Sequence, residues 1–240
     1  MIAQVCAFFP GRLYCTICLG VIAFTCVCDP IDGLIVLSTF FQKILPENAK
    51  EVAMKNILII SGHPNLQQST ANRAILDELA GRLPHAQIRR LDALYPDYQI
   101  DIAAEQQALL AADVIVWQFP LFWYSLPALL KKWLDDVFTH GFAYGSGAKL
   151  GGKRLIVSFT TGSPAEAYAE GQAMNYAIEA FIPPLRQTGL LCGLQFGQPV
   201  ISNSMMYIAG LSREEDLQSV QAKARDHAGR LVRQIEDLPE

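Results

Sequence analysis

The stretch from Asp113 to Phe138 constrains this chain most. Asp113-Val-Ile-Val-Trp-Gln118 is an apolar run of the kind that forms a buried strand. It is followed at once by Phe119-Pro-Leu-Phe-Trp-Tyr-Ser-Leu, and from about Pro127 to Phe138 by an amphipathic helical pattern. An aromatic turn between a buried strand and a helix belongs at the carboxyl end of a sheet. In open α/β proteins that edge is where flat ligands bind.

The same alternation repeats along the chain from Asn56 onward. Further strands are expected at Asn56–Ser61, Gln87–Leu91, Arg154–Thr160 and Leu190–Phe196, with Val114–Trp117 among them. Helices are expected from Ser69-Thr-Ala-Asn72 to Leu83, where Pro84 stops the pattern, and over Ile102–Ala112. Two more should cover Met174–Thr188, interrupted by Pro183-Pro184, and Arg213–Ile235, capped by Ser212. Strands alternating with helices imply right-handed crossovers and a parallel sheet. The predicted fold is α/β, a doubly wound five-stranded parallel sheet with helices on both faces.

The first 53 residues do not share this pattern. Leu13 to Cys28 is an uncharged stretch, short of the roughly 20 residues a spanning helix needs. No basic segment precedes it and no clear small-residue cleavage site follows, as a secretory signal would require. Five of the six cysteines fall here. Cys15-x-x-Cys18 and Cys26-x-Cys28 have irregular spacing, no nearby histidine and apolar surroundings, which argues against a zinc site. Met54 directly precedes Lys-Asn-Ile-Leu-Ile-Ile-Ser61. The domain is therefore expected over 54–240, with 1–53 an over-extended start or a membrane-associating leader. Cys192 alone in the body suits a reduced, cytoplasmic protein, and a net charge of −4 gives no electrostatic case for nucleic acid.

Three loops are expected at one sheet edge. The first, Ser61-Gly-His-Pro-Asn-Leu-Gln-Gln-Ser-Thr-Ala-Asn72, has neither a glycine triplet nor a Gly-Lys-Ser/Thr. It offers His63 and the Ser69, Thr70, Ala71, Asn72 helix start, whose N–H groups and dipole suit a phosphate. The plainer reading is that Ser69 or Thr70 is only a helix cap. In the second, Pro120, Leu121, Phe122 and Trp123 belong to a cluster with four aromatics within six residues. That is more ring surface than one turn can bury, although core packing is the competing use. A flat heteroaromatic ring would cover it. The third, Thr160, Thr161, Gly162 and Ser163, could bond the polar edge of such a ring, with Gly162 permitting close approach. Each is ambiguous alone; together they point to a flavin.

Ser61-Gly-His-Pro, Ser69-Thr-Ala-Asn72, Trp117-Gln-Phe-Pro-Leu-Phe-Trp-Tyr-Ser125, Lys132-Trp133, His140-Gly-Phe-Ala-Tyr144 and Phe159-Thr-Thr-Gly162 resemble the flavodoxin-like NAD(P)H:quinone oxidoreductases. The resemblance runs from Met54 to about Asp237. Within it, Leu94-Tyr-Pro-Asp-Tyr-Gln-Ile-Asp-Ile-Ala-Ala-Glu-Gln106 is similar to the KefF type, the ancillary oxidoreductases of glutathione-gated potassium efflux systems. The resemblance implies FMN, with FAD as the alternative, and NAD(P)H as hydride donor. By it, His63 and Ser69 to Asn72 hold the flavin phosphate, Pro120 to Trp123 line the ring system, and Thr160 to Ser163 bond its pyrimidine side. Tyr168 would stabilise the charge that arises on hydride transfer. Tyr144 would stand at the site of a quinone-type acceptor, completed by a second subunit of a homodimer. Some relatives carry a histidine about six residues beyond the tyrosine, where this chain has Gly171-Gln-Ala-Met-Asn175, so a histidine–tyrosine relay is not expected.

The reading is thus a cytoplasmic two-electron oxidoreductase. Its competitor is a flavin-binding regulatory subunit of a membrane potassium efflux protein, peripheral to the inner face of the membrane. A one-electron carrier of the same fold fits less well, having no need of Tyr144 and Tyr168.

Overall fold

The computed structural model describes residues 55–238 in full, and backbone strands at Ala3–Phe9, Arg12–Leu19 and Ile22–Cys28. Those three pair antiparallel in sequence order. They belong to a unit, Met1–Met54, separate from Lys55–Glu240. The side chains of the cysteine-rich segment, and the metal question attached to it, lie outside the described residues.

From Lys55 the sheet strands are β1 (Ile57–Ser61), β2 (Gln87–Arg90), β3 (Val114–Pro120), β4 (Arg154–Thr160), β5 (Gln195–Phe196) and β6 (Val200–Ser202). All pair parallel, in the order β2-β1-β3-β4, with β5 and β6 both on the outer side of β4. The helices are α1 (Thr70–Arg82), α2 (Leu91–Leu94), α3 (Ile102–Ala111), α4 (Ala128–Val137), α5 (Pro183–Leu191) and α6 (Glu214–Glu236). Every residue of β1 and β3 is buried, as a strand covered on both faces must be. Alternate side chains divide between two cores. Leu58, Ile60, Ile115, Trp117 and Phe119 pack with α3, α4 and α5. Ile57, Ile59, Val114 and Val116 pack with α1 and α6.

Four expectations need correction. β3 extends three residues past Trp117, so Phe119 and Pro120 are strand and core; Phe119 stacks on Phe159 at 5.6 Å. Leu190–Phe196 is not one strand. Leu190 and Leu191 end α5, and Gly193 takes φ 69° as the chain turns out of the helix. Only Gln195–Phe196 and Val200–Ser202 pair with β4, because Pro199 between them has no N–H to give the ladder. The helix expected from Met174 begins at Pro183, with a short 3₁₀ turn at Ile178–Phe181 before it. Pro183 and Pro184 initiate the helix rather than interrupting it, since the first-turn N–H groups need no helical acceptor. Finally, Ser212 does not cap α6. Its Oγ accepts from Ile208 N, and the carboxylate of Asp216 accepts from Arg213 N at 2.9 Å.

Candidate functional site

β1 and β3 are neighbours, but the chain leaves them for opposite faces. α1 buries Ile75, Leu76 and Leu79 in one core, while α4 buries Leu129, Leu130 and Trp133 in the other. The crevice so formed at the carboxyl ends of the strands is where doubly wound folds take ligands. Gly62 sits in its floor and donates to Gln118 O at 2.8 Å.

The first loop turns from Gly62 through His63 into a 3₁₀ turn, Leu66–Gln68, and then α1. Ser69 is the N-cap, its Oγ accepting from Asn72 N at 3.1 Å. Ser69 is thus a helix cap, and that leaves the N–H groups of Thr70 and Ala71 without an intrahelical acceptor. Asn72 is 3% exposed and points into the crevice, donating to Thr160 Oγ1 at 3.2 Å. His63 Nδ1 accepts from Asn65 N at 3.0 Å, which leaves Nε2 as the protonated nitrogen of the neutral ring. Burial lowers the pKa of His63, outweighing the opposing charge of Asp92. Ser61 Oγ, buried at this edge, has no hydrogen-bond partner among the described residues.

Leu121 N bonds Thr160 O at 2.8 Å, tying the second loop to the third. Phe122 meets His63 edge to face, with centroids 5.7 Å apart, which ties it to the first. Between Phe122 and Ser125 the chain reverses through Trp123 (φ 47°) and Tyr124 (φ 63°), closed by Ser125 N to Phe122 O at 3.0 Å. Two consecutive large residues in the left-handed region form a strained turn. Its cost is of order 1–3 kcal/mol per residue. The turn projects Trp123, 92% exposed, with Phe122 and Tyr124 about half exposed. The excess of ring surface expected here is real, once Phe119 is assigned to the core.

In the third loop Thr160 and Thr161 are buried. Thr161 spends its hydroxyl inside the protein, on Asn203 Oδ1 at 2.7 Å and Ser163 O at 3.1 Å. A Cβ on Gly162 would meet Met206 at 3.6 Å, an ordinary contact, so no contact among the described residues demands glycine there. Tyr168 is half-buried and set edge-on to Phe181, on which Tyr124 stacks at 5.3 Å. The structure thus gathers His63, Ser69–Asn72, Leu121–Trp123, Thr160–Ser163 and Tyr168 around one edge. Tyr144 is not joined to them. It packs on the α4 core and against His140, with no hydrogen bond or ring contact to the three loops among the described residues.

Sequence reasoning missed the polar residues beneath this edge. Gln118 and Ser158 lie within otherwise apolar strands, and His227 falls on the buried stripe of α6 between Ala224 and Leu231. A hydrogen-bonded chain joins them to Asn72, Ser202 and Arg230. The interruption of an apolar pattern was the available signal. Beside α1, an open cleft of about 800 Å³ is lined by Gln67, Thr70, Arg73, Asp77, Tyr207 and Leu217, among others.

This topology defines a doubly wound α/β protein of the flavodoxin type. Residues 55–228 match a family described as flavodoxin-like fold, and the chain belongs to that family. It is 43% identical over 177 residues to the glutathione-regulated potassium-efflux system ancillary protein KefF of Salmonella typhi, covering 73% of this chain and 95% of that protein. Among solved structures it is similar to general stress protein 14 of Treponema denticola, crystallised in complex with FMN. That pair shares 33% identity and a TM-score of 0.67 over 75% of this chain and 99% of the other. An NADPH-quinone reductase of P. pentosaceus shares 25% identity and a TM-score of 0.58, covering 73% and 98%. Among the described residues no helix is long and apolar enough to cross a membrane.

Proposed function

We propose that this protein is an FMN-dependent NAD(P)H oxidoreductase that delivers two electrons to a quinone-type acceptor. The single observation that carries the reading is the convergence of three loops at the β1–β3 crevice. One supplies a capped helix start with two free N–H groups, one an exposed aromatic turn, and one a buried hydroxyl. This donor set fits a flavin phosphate at Ser69–Asn72 and a flat ring beside Leu121–Trp123. FMN, the ligand of the Treponema denticola protein, is preferred over FAD.

When bound, the flavin supplies hydride acceptance from the nicotinamide and two-electron delivery to the acceptor. The chain's own part is to bind, orient and exclude water. Ser69, Thr70 and Ala71 hold the phosphate without a lysine. Phe122 and Trp123 shield one side of the ring. Thr160, Gly162 and Ser163 donate to its polar edge, and the Tyr168 hydroxyl donates where negative charge accumulates. Titration with FMN, followed by absorbance and NADPH-driven quinone reduction, tests the reading. A protein that stays colourless with FMN in excess refutes it.

The exposed rings of Phe122, Trp123, Tyr124 and Tyr176, with Met206 and Leu211, leave this edge unfinished in one chain. A homodimer that covers it, bringing Tyr144 of the second copy to the acceptor, is part of the proposal. Sedimentation showing a fully active monomer would remove that part.

A second reading has its own support: the likeness to KefF spans nearly the whole of that protein. In the KefF-like segment, Tyr95 OH and Trp133 Nε1 both donate to buried Glu105, at 2.5 and 2.9 Å, and Arg89 pairs with it. Leu94, Tyr98 and Ile102 are left outward. A regulatory role at a potassium efflux protein would use this rigid, exposed segment. Loss of efflux activation in Y98A with quinone reduction intact would support it; retention of both would count against it.

A further inference from the structure

The buried chain beneath the site has a direction, and one residue sets it. Arg230 Nη2 lies 2.7 Å from Ser202 Oγ, and a guanidinium can only donate. Ser202 Oγ also lies 2.9 Å from His227 Nδ1, its one other partner among the described residues. The Ser202 hydroxyl hydrogen therefore goes to Nδ1. That leaves Nε2–H to donate to Ser158 Oγ at 2.7 Å, and Ser158 to donate to Gln118 Oε1 at 2.6 Å. Gln118 Nε2 then donates to Asn72 Oδ1 at 3.1 Å. Asn72 Nδ2 ends the chain by donating to Thr160 Oγ1 at 3.2 Å and Ser69 Oγ at 3.3 Å.

The opposite polarity would leave the Ser202 hydroxyl hydrogen without an acceptor among the described residues. It would also turn the Asn72 oxygen toward Ser69 and Thr160, drawing their protons inward. As observed, both hydroxyls receive from the protein and keep a hydrogen to give outward. His227, Ser158, Gln118 and Asn72 are all within 3% of full burial and Ser202 is 7% exposed, so water has little access to the links between them. Burial, then the Arg230 charge, pushes His227 down to about 3, keeping the ring neutral as the chain requires.

We infer that His227, held as its Nε2–H tautomer, is a positioning residue that carries the one-way polarity of Arg230 to Asn72, and so presents Ser69 and Thr160 as donors to acceptor-only ligand groups: a phosphate at Ser69 and a ring carbonyl at Thr160. The inference rests on the flavin reading for its ligand, but its polarity stands on the protein alone.

Two measurements on the full chain decide it. In ligand-free protein labelled with ¹⁵N-histidine, His227 (assigned with H227Q) is expected to be neutral and protonated on Nε2 at neutral pH. An Nδ1–H tautomer or a charged ring overturns the inference. In FMN titrations, H227F is expected to bind about tenfold more weakly, about 1.4 kcal/mol. H227Q, whose amide can accept from Ser202 and donate to Ser158, should recover most of the affinity. The H227F loss should vanish in a chain already carrying S69A and T160V, because His227 acts through those hydroxyls. An undiminished loss in that background means only general loosening and overturns the inference, as does unchanged binding by H227F. A wild type that takes no FMN sinks the functional reading instead; the tautomer then still decides the polarity.

Discussion

Gly62→Ala should destabilise the domain by about 1–3 kcal/mol, the usual cost of forcing an extra carbon into a packed core. The magnitude follows from what the new methyl would meet. Its Cβ would lie 2.6 Å from Leu130 Cδ2, 2.8 Å from Leu130 Cβ and 3.0 Å from Cγ. The Cδ2 contact can be relieved by rotating the leucine, although Leu130 is 1% exposed and hemmed in. The contact with Leu130 Cβ cannot, because that atom is fixed to the α4 backbone. β1 and α4 must move apart by several tenths of an ångström, widening the crevice between His63 and Phe122. Gly62 has no left-handed φ, so the effect is steric and not a matter of backbone strain. Urea unfolding of the full chain would measure it. For a domain of this size the midpoint of thermal unfolding should fall about 2–4 °C for each kcal/mol. In the double variant G62A/L130A the two losses should be less than additive, since truncation removes the clashing Cγ and Cδ2. A G62A chain as stable as wild type, or strictly additive losses, would refute the argument that this crevice is set by contact between Gly62 and Leu130.

Acid should weaken the fold through His227. Its pKa is about 3 when folded against an ordinary 6.5, so the unfolded state binds the proton first. Stability is full above about pH 6.5 and is lost by about 1.4 kcal/mol per pH unit as the pH falls toward 3. Comparing H227Q with wild type by urea unfolding at several pH values isolates this group, and parallel curves would contradict it. Tyr168→Phe should slow reduction of the bound flavin by NADPH about tenfold, about 1.4 kcal/mol in the barrier, with flavin content unchanged. Stopped-flow traces that superimpose on wild type would make Tyr168 a packing residue. A chain beginning at Met54 should fold and bind FMN as the full chain does, because the described residues of both cores all lie beyond it; loss of solubility or of FMN in that chain would show otherwise.

The fold was legible wherever a short apolar run was buried on both faces. Ile57–Ser61 and Arg154–Thr160 were found to within a residue for that reason. Leu190–Phe196 misled because an apolar run cannot distinguish the exposed end of a helix from a strand, and Leu190 and Leu191 are both more than half exposed. The loops of the site were legible from their local chemistry: a serine before a helix, aromatics after a strand, hydroxyls at a strand end. His227 was not, because its partners are 25 and 69 residues away and only the finished sheet brings them together. Glu105 was hidden in the same way, as a charge whose three partners come from β2, from the residue that ends α2 and from α4.

The break at Gly197-Gln198-Pro199 also governs how copies of this domain can meet. One margin of the sheet consists of β5 and β6, two and three residues long and split by a proline. The other is β2, four residues long and ending in Arg89 and Arg90. Neither offers the long, flat, uncharged ladder that strand addition and fibrous stacking require. The domain can carry a wide apolar rim of aromatic loops without offering neighbouring copies a strand edge on which to polymerise.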